Sequence, residues 1–483
     1  MIQKEEESTV ADIKMTDIIY DYFSMRILFG YYATGDCLPS IGYICRQFQV
    51  SALTVRAALA RLQEEGFIAT AERKVATVVY RTDERSEERY ASYLLSRIDG
   101  INDICQYADI LFDPIAAVYF GMQSGAAIKR IRSQLKKARG HEAKQIIRFC
   151  AEIMRPLNNP LLLNLYWEVV RYLQIPYLHD GTDFGNTSTM TADSIERVLV
   201  LTELDEPDRA AEEMRAFSRK IMSAFFEKLY ASCGTKQPVD QVPFRWQIYR
   251  ERPQLCYTLA GEIMQKIDRQ VYQEGELLPS CKALAEEYGV SLITMRRTLQ
   301  LLNDIHATET LNGIGTRVNT GKRQVTPNFS QPQIRKSLRL FLQALQLCAL
   351  TCGSVAVHTL TTLEAESLRQ LEQKLQGNID RGMPYLTGEA CIRFIGENSP
   401  SPLIQEVYHQ LCQLLLWGNA LHIFYDSPEK NRENERYTAA LLRNLQHGDV
   451  SGFAKTLSEL ITGGAVRSKA HLLELGLPEK KLI

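Results

Sequence analysis

The sequence predicts a mainly α protein. Two winged helix-turn-helix domains, each with a small β wing, alternate with two all-α helical-bundle domains. Three observations predict it. First, one short grammar recurs 240 positions on without slipping. Gly35, Leu38-Pro39-Ser40, Val50-Ser51, Thr54, Arg56, Leu59 and Leu62 return as Gly275, Leu278-Pro279-Ser280, Val290-Ser291, Thr294, Arg296, Leu299 and Leu302. Second, helical apolar periodicity precedes and follows each anchor, and a β-prone tail closes each copy. Third, about 140 residues of mostly helical pattern follow each copy. The resulting segments are 11–82, 90–232, 248–320 and 333–475.

Each winged-helix segment opens with a helix. Ile18, Ile19, Tyr22, Phe23 and Ile27 recur at helical spacing in the first, and Leu255, Leu259, Ile263 and Ile267 in the second. Gly35 or Gly275 follows, then Leu-Pro-Ser. The Pro disfavours helix on the residue before it, and Ser40 or Ser280 suits the N-cap of a short second helix. After a tight turn, Ser51 or Ser291 caps a third helix. Its apolar face is Val55, Leu59 and Leu62, or Met295, Leu299 and Leu302. The closing tails, Ala76 to Tyr80 and Gly313 to Val318, form the wing.

The Leu-Pro-Ser, Val-Ser-x-x-Thr-(Val/Met)-Arg and Gly-x-Gly-Thr-x-Val pattern resembles the GntR family of bacterial transcription regulators. The resemblance covers about seventy residues per copy. It implies a third helix in the DNA major groove and a wing at the adjacent minor groove. By position, the implied contacts are Ser40, Ser51, Thr54, Arg56, Arg73 and Lys74 in the first copy. In the second they are Ser280, Lys282, Ser291, Thr294, Arg296, Arg297 and Arg317. Hydroxyls at a helix start reach phosphates, and an Arg one turn on binds phosphate or a guanine edge. Polar Thr and Arg at each third helix's exposed start favour that reading.

This chain departs from the family pattern in several places. Ala52 and Leu292 stand where the family carries an Arg, and Gly42 replaces another. The first wing reads Lys74-Val75-Ala76 without Gly-x-Gly. The second copy has Asp304, Ile305 and His306 in place of the helix stop Glu64, Glu65 and Gly66. Residues 11–82 hold eight basic and seven acidic side chains, and 251–324 hold nine of each. DNA binders usually show a basic excess on the docking face. Arg296, Arg297, Arg317, Lys322 and Arg323 form the best basic cluster. The alternative reading is a winged-helix protein-interaction module without sequence-specific DNA binding.

The helical segments repeat more faintly. Arg148-Phe149-Cys150 matches Arg393-Phe394-Ile395, and Asn159-Pro160-Leu161 with Tyr166 matches Ser401-Pro402-Leu403 with Tyr408. Closing helices are expected over about 209–229 and 450–461, with a domain boundary at Cys233 to Pro238. The layout is similar to the FCD effector domain of the FadR-like subfamily, many members of which hold a metal with an Asp and three His. Those positions here fall at Ile146, Cys150 and near Phe217, or near Cys391 and Ile395. None supplies the imidazoles such a site needs, so no metal and no cofactor is expected. A small-molecule effector pocket would draw on Tyr119, Phe120, Arg148, Phe149, Tyr166 and Trp167, with Arg148 and Tyr166 leading. The competing role for these aromatics is core packing.

At 483 residues the chain holds three or four domains, with 45% apolar residues and net charge −1. Met1-Ile2-Gln3 leading into Lys4 gives no secretory pattern, and the eleven scattered Cys suggest reduced thiols. A cytoplasmic location with no membrane partner is expected. The apolar run Leu338 to Leu363 is broken by Arg339, Gln343, Gln346 and His358, and reads as a buried helix. No hydrolase, P-loop or zinc-protease motif appears, so no enzyme is expected. The expected partner is double-stranded DNA. It is met by a homodimer, or by one chain as an intramolecular pseudo-dimer.

Overall fold

The computed structural model describes residues 9–28, 32–48, 50–71, 74–81, 86–137, 149, 153, 157–173, 187–233, 240–248, 255–319, 329, 331–425 and 428–477. They belong to two compact units, Met1–Arg250 and Glu251–Ile483.

The first unit starts with helices α1 (Thr9–Leu28), α2 (Ile41–Phe48) and α3 (Ala52–Glu64), then strands β1 (Ile68–Ala69) and β2 (Thr77–Val78). Ile18, Ile19, Phe23 and Ile27 of α1 share one core with Val55, Ala58, Leu59 and Leu62 of α3. The strands pair antiparallel, Ile68 against Val78 and Ala69 against Thr77. The Gly-to-Pro motif hooks onto this wing. The Gly35 amide donates to the Val78 carbonyl at 2.8 Å, and the Leu38 amide to Ala76 at 2.8 Å. Gly35 makes that turn at φ +97°, a left-handed conformation that only Gly adopts at low cost.

The first helical domain comprises α4 (Ser86–Leu95), α5 (Ile98–Gly121), α6 (Gly125–Lys137), α7 (Pro160–Leu173), α8 (Thr187–Glu203) and α9 (Pro207–Cys233). Asn159 caps α7 as its order predicts: its Oδ1 accepts from the Leu162 amide at 3.1 Å. Helices α5 and α9 pack together and are clamped by charge. Arg215 meets Asp113 at 2.5 Å and Arg219 meets Asp109. The chain then returns to this domain instead of leaving it. Residues 240–248 carry no regular secondary structure, with the Val242 amide donating to the Ser96 carbonyl at 2.7 Å and the Tyr172 hydroxyl to the Val242 carbonyl at 2.6 Å. Buried Phe244 and Trp246 anchor the strap, and the Trp246 indole donates to Asn164 at 2.9 Å.

The second unit repeats the order. Helices α10 (Leu255–Asp268), α11 (Cys281–Glu287) and α12 (Leu292–Asp304) precede β3 (Thr308–Leu311) and β4 (Gly315–Val318). Its strands pair from Thr308 against Val318 to Leu311 against Gly315. Leu259, Ile263 and Ile267 enter the core, while Leu255 at the helix start is 49% exposed. The helical domain follows: α13 (Pro332–Leu360), α14 (Ala365–Asp380), a short 3₁₀ turn (Pro384–Leu386), α15 (Thr387–Glu397), α16 (Pro402–Leu415), α17 (Gly418–Tyr425), α18 (Pro428–Gln446) and α19 (Val450–Glu474). Ser401 caps α16 through the Ile404 amide at 3.3 Å, matching the role of Asn159.

Within α13, Ile334–Leu360 is long and apolar enough to cross a membrane by length and composition alone. It is a core helix of this unit, packed along α19, with Thr351 hydrogen-bonded to the buried Tyr408 hydroxyl at 3.0 Å. The last helix runs to Glu474, well past the expected end at Ile461. Gly463 and Gly464 weaken it locally, yet Leu472 is fully buried beyond them, and that packing outweighs the glycine cost.

Candidate nucleic-acid interface

Both third helices begin with the same hydroxyl cap. Ser51 Oγ accepts from the Thr54 amide at 3.2 Å and lies 2.9 Å from Thr54 Oγ1. Ser291 Oγ accepts from the Thr294 amide at 3.1 Å and lies 2.9 Å from Thr294 Oγ1. The Ser-x-x-Thr spacing is thus explained by capping, since the Thr is the residue whose amide and hydroxyl both meet the Ser. Thr54 is only 3% exposed and Thr294 half-buried, so the pair does not stand at an open helix start as its polarity suggests. Ser51 and Ser291 themselves are exposed.

Arg56, Arg296 and Arg297 point outward, and among the described residues none of the three forms an ion pair. The neighbouring candidates are less free. Ser40 and Ser280 cap the second helices, accepting from Tyr43 at 3.3 Å and Ala283 at 3.1 Å. Lys282 is 78% exposed and lies 4.0 Å from Glu286. Arg317 pairs with Glu309 at 2.7 Å, directly across the second wing. Lys74 is exposed on the first wing, and Arg73 lies outside the described residues.

The outward faces of both third helices also carry apolar side chains. Leu53 and Ile293 are each 64% exposed, and Leu292 is 44% exposed. Their signal in the sequence is geometric. Once Val55, Leu59 and Leu62 face the core, 3.6-residue periodicity turns residues 52, 53, 56, 57 and 60 outward. The second wing exposes Ile314 between two glycines.

Each winged helix is tied to the helical domain of its own unit. In the first, Trp167 of α7 is fully buried and stacks on Phe48. Arg171 reaches Asp21 at 2.8 Å and Glu168 at 2.5 Å. Tyr166 packs beside Trp167 against the winged-helix core. Tyr119, Phe120 and Phe149 are core residues, and Arg148 lies outside the described residues. In the second unit, His422 Nδ1 lies 2.5 Å from Asp268 Oδ1, and the Tyr385 ring stacks on His422. Glu389 accepts from both Gln265 and Arg269 at 2.7 Å.

The positions aligned with a family metal site hold buried Phe217, Cys391 and Ile395, while Ile146 and Cys150 lie outside the described residues. Among the described residues no group of three or more His, Cys, Asp or Glu is placed to hold a metal ion.

The sequence model of the family described as "Bacterial regulatory proteins, gntR family" matches residues 16–79 and 257–318. No curated protein matches the chain. Solved structures similar to it include a Streptococcus agalactiae GntR, 16% identical, covering 44% of this chain and 99% of that one at a TM-score of 0.20. They also include E. coli McbR/YncC, 19% identical, covering 46% and 99% at 0.25. A third, described by the words "Lar controls the expression of the Listeria monocytogenes agr system and mediates virulence", is 16% identical, covering 46% and 97% at 0.20. The two matched segments coincide with the two winged helices, so the domain that this family model describes is present twice in the chain.

Proposed function

We propose that the protein is a cytoplasmic, DNA-binding transcription regulator whose two winged helices read one divided operator. The observation that carries the proposal is the paired third-helix surface. Arg56 and Arg296 project from equivalent positions, each one turn past a Ser-capped helix start. A helix N-terminus adds partial positive charge and free amides toward a phosphate. Two such surfaces in one chain raise the effective concentration of the second reader once the first is bound. Because Ala52, Leu53 and Ala57 differ from Leu292, Ile293 and Arg297, the two half-sites are unlike.

The helical domains are the proposed sensors of a small-molecule effector. Support comes from the Trp167–Phe48 stack and the His422–Asp268 pair, which hold each winged helix to a helical bundle. An effector favouring one arrangement of a bundle shifts the population of DNA-competent chains.

The test is selection from a random-sequence DNA pool at near-physiological salt, with Arg56→Ala/Arg296→Ala as the control. A bipartite motif that the double variant loses is the expected result. Salt-sensitive binding shared equally by the variant, with no motif, overturns the proposal and favours a protein-interaction role.

A further inference from the structure

The third helices present a surface of unusual chemistry for a DNA reader. Outward positions 52, 53, 56, 57 and 60 are Ala, Leu, Arg, Ala and Ala, all exposed. The equivalent positions 292, 293, 296, 297 and 300 are Leu, Ile, Arg, Arg and Gln, also exposed. In both, a large aliphatic residue sits three positions before the outward Arg, so the two share one face. That residue is 64% exposed in each copy. Among the described residues, most of that branched aliphatic side chain's surface meets solvent in both copies.

Resting on the DNA-reading proposal above, we propose that Leu53 in one half, and Leu292 with Ile293 in the other, recognise the C5-methyl groups of thymine. Thymine is the one base that offers an apolar group in the major groove, and polar base edges there lose water to an aliphatic side chain without a partner. The surroundings fit a polyanion better than an apolar protein face. Arg56 and the Arg296-Arg297 pair flank the aliphatic residues, and the helix N-terminus brings the same sign of charge. The Ala positions 52, 57 and 60 keep the first helix smooth, so its backbone approaches the base edges closely. Leu292 next to Ile293 gives the second half a wider apolar contact than Leu53 next to Ala52. The second half-site therefore carries more thymine-dependent affinity than the first.

The experiment uses the full chain and the duplex recovered from the random pool, remade with deoxyuridine in place of single thymines. Removing one read methyl should weaken binding about fourfold, which corresponds to about 0.8 kcal/mol for a buried methyl at 1.4 kcal/mol per decade. Leu53→Ser should abolish thymine-over-uracil preference in the first half-site only, and Leu292→Ser/Ile293→Ser in the second only. These are exposed side chains, so circular dichroism should show unchanged folding. Equal affinity for thymine and uracil duplexes, with Arg56- and Arg296-dependent binding intact, overturns the methyl reading and leaves the DNA reading standing. Preference that survives in the Ser variants also overturns it. A chain that selects no Arg-dependent DNA at all overturns both.

Discussion

Trp167 of the first helical domain stacks on Phe48 of the winged helix, with ring centroids 4.2 Å apart and planes inclined by 28°. The indole is fully buried and its Nε1 has no hydrogen-bond partner among the described residues. Its role is therefore apolar contact, together with Tyr22 edge-on to the same ring. Trp167→Ala should destabilise the first unit by about 3–5 kcal/mol, the usual cost of emptying such a site. Trp167→Phe should cost much less, because the smaller ring also removes an unsatisfied N–H whose burial costs about 1–3 kcal/mol. Denaturant titration of both variants separates the two. Equal losses would mean the N–H has a partner.

His306 holds the left-handed conformation that Gly66 holds in the other copy, at φ 64° against 78°. The helix end is otherwise the same. The Ala307 amide bonds the Leu302 carbonyl at 2.9 Å, as the Phe67 amide bonds Leu62 at 2.9 Å. The helix stop thus survives without its glycine, and the strain falls on a residue with a Cβ. His306→Gly should stabilise the second winged helix by about 0.5–1 kcal/mol, the strain relieved less the extra unfolded-state entropy. Gly66→Ala should destabilise the first by about 1 kcal/mol for the converse reason. Matched thermal melts test both, and a destabilised His306→Gly protein would show that the imidazole has a contact of its own.

The winged helices were legible because each rests on local rules. Pro39 and Ser40 fix a helix start, Gly35 fixes a left-handed turn, and Val55, Leu59 and Leu62 fix a buried face. What the sequence did not reveal depends on distant partners. Thr54 looks like an outward polar contact until its burial against the core and its bond to Ser51 are seen. Tyr166 and Trp167 look like pocket aromatics, yet they meet the winged helix far earlier in the chain. The strap at 240–248 lies past the boundary expected at Cys233 to Pro238, and the depth of Phe244 and Trp246 shows that it belongs to the first unit.

Burial raises the Asp113 carboxyl from 3.8 to about 6, outweighing the attraction of Arg215, with Asp109 adding repulsion. In the unfolded chain Asp113 releases its proton near 3.8, while the folded protein keeps it until about 6. The folded state therefore binds more protons in that window. The stability this group contributes is complete below about pH 4 and is lost as pH rises through 6. Asp113→Asn resembles the protonated form and lacks that loss. Relative to the parent, its first unit should gain stability from pH 4 to pH 7. Urea titrations at several pH values check this, and a constant difference between the proteins would place the Asp113 titration at its ordinary value.

Arg317 is held by Glu309 across the second wing at 2.7 Å, with the Glu 54% exposed. If the protein reads DNA as proposed, a wing Arg engaged this way releases its partner before it reaches a phosphate, so the pair would oppose DNA binding while adding little stability of its own. Exposed pairs contribute about 0–1 kcal/mol. Glu309→Gln should leave the melting temperature nearly unchanged, strengthen DNA binding several-fold and steepen its salt dependence. One added phosphate contact steepens the slope of log K against log salt by about 0.9. Arg296→Ala should flatten that slope by a similar amount, since Arg296 has no carboxylate to lose among the described residues. If Arg317 stays on the wing away from DNA, Glu309→Gln still removes a nearby negative charge, but affinity changes little and by a similar factor at every salt concentration. The slope then stays put, because no further counterion is displaced. Titrations at four salt concentrations therefore distinguish a wing that touches the backbone from one that only adjusts the local field.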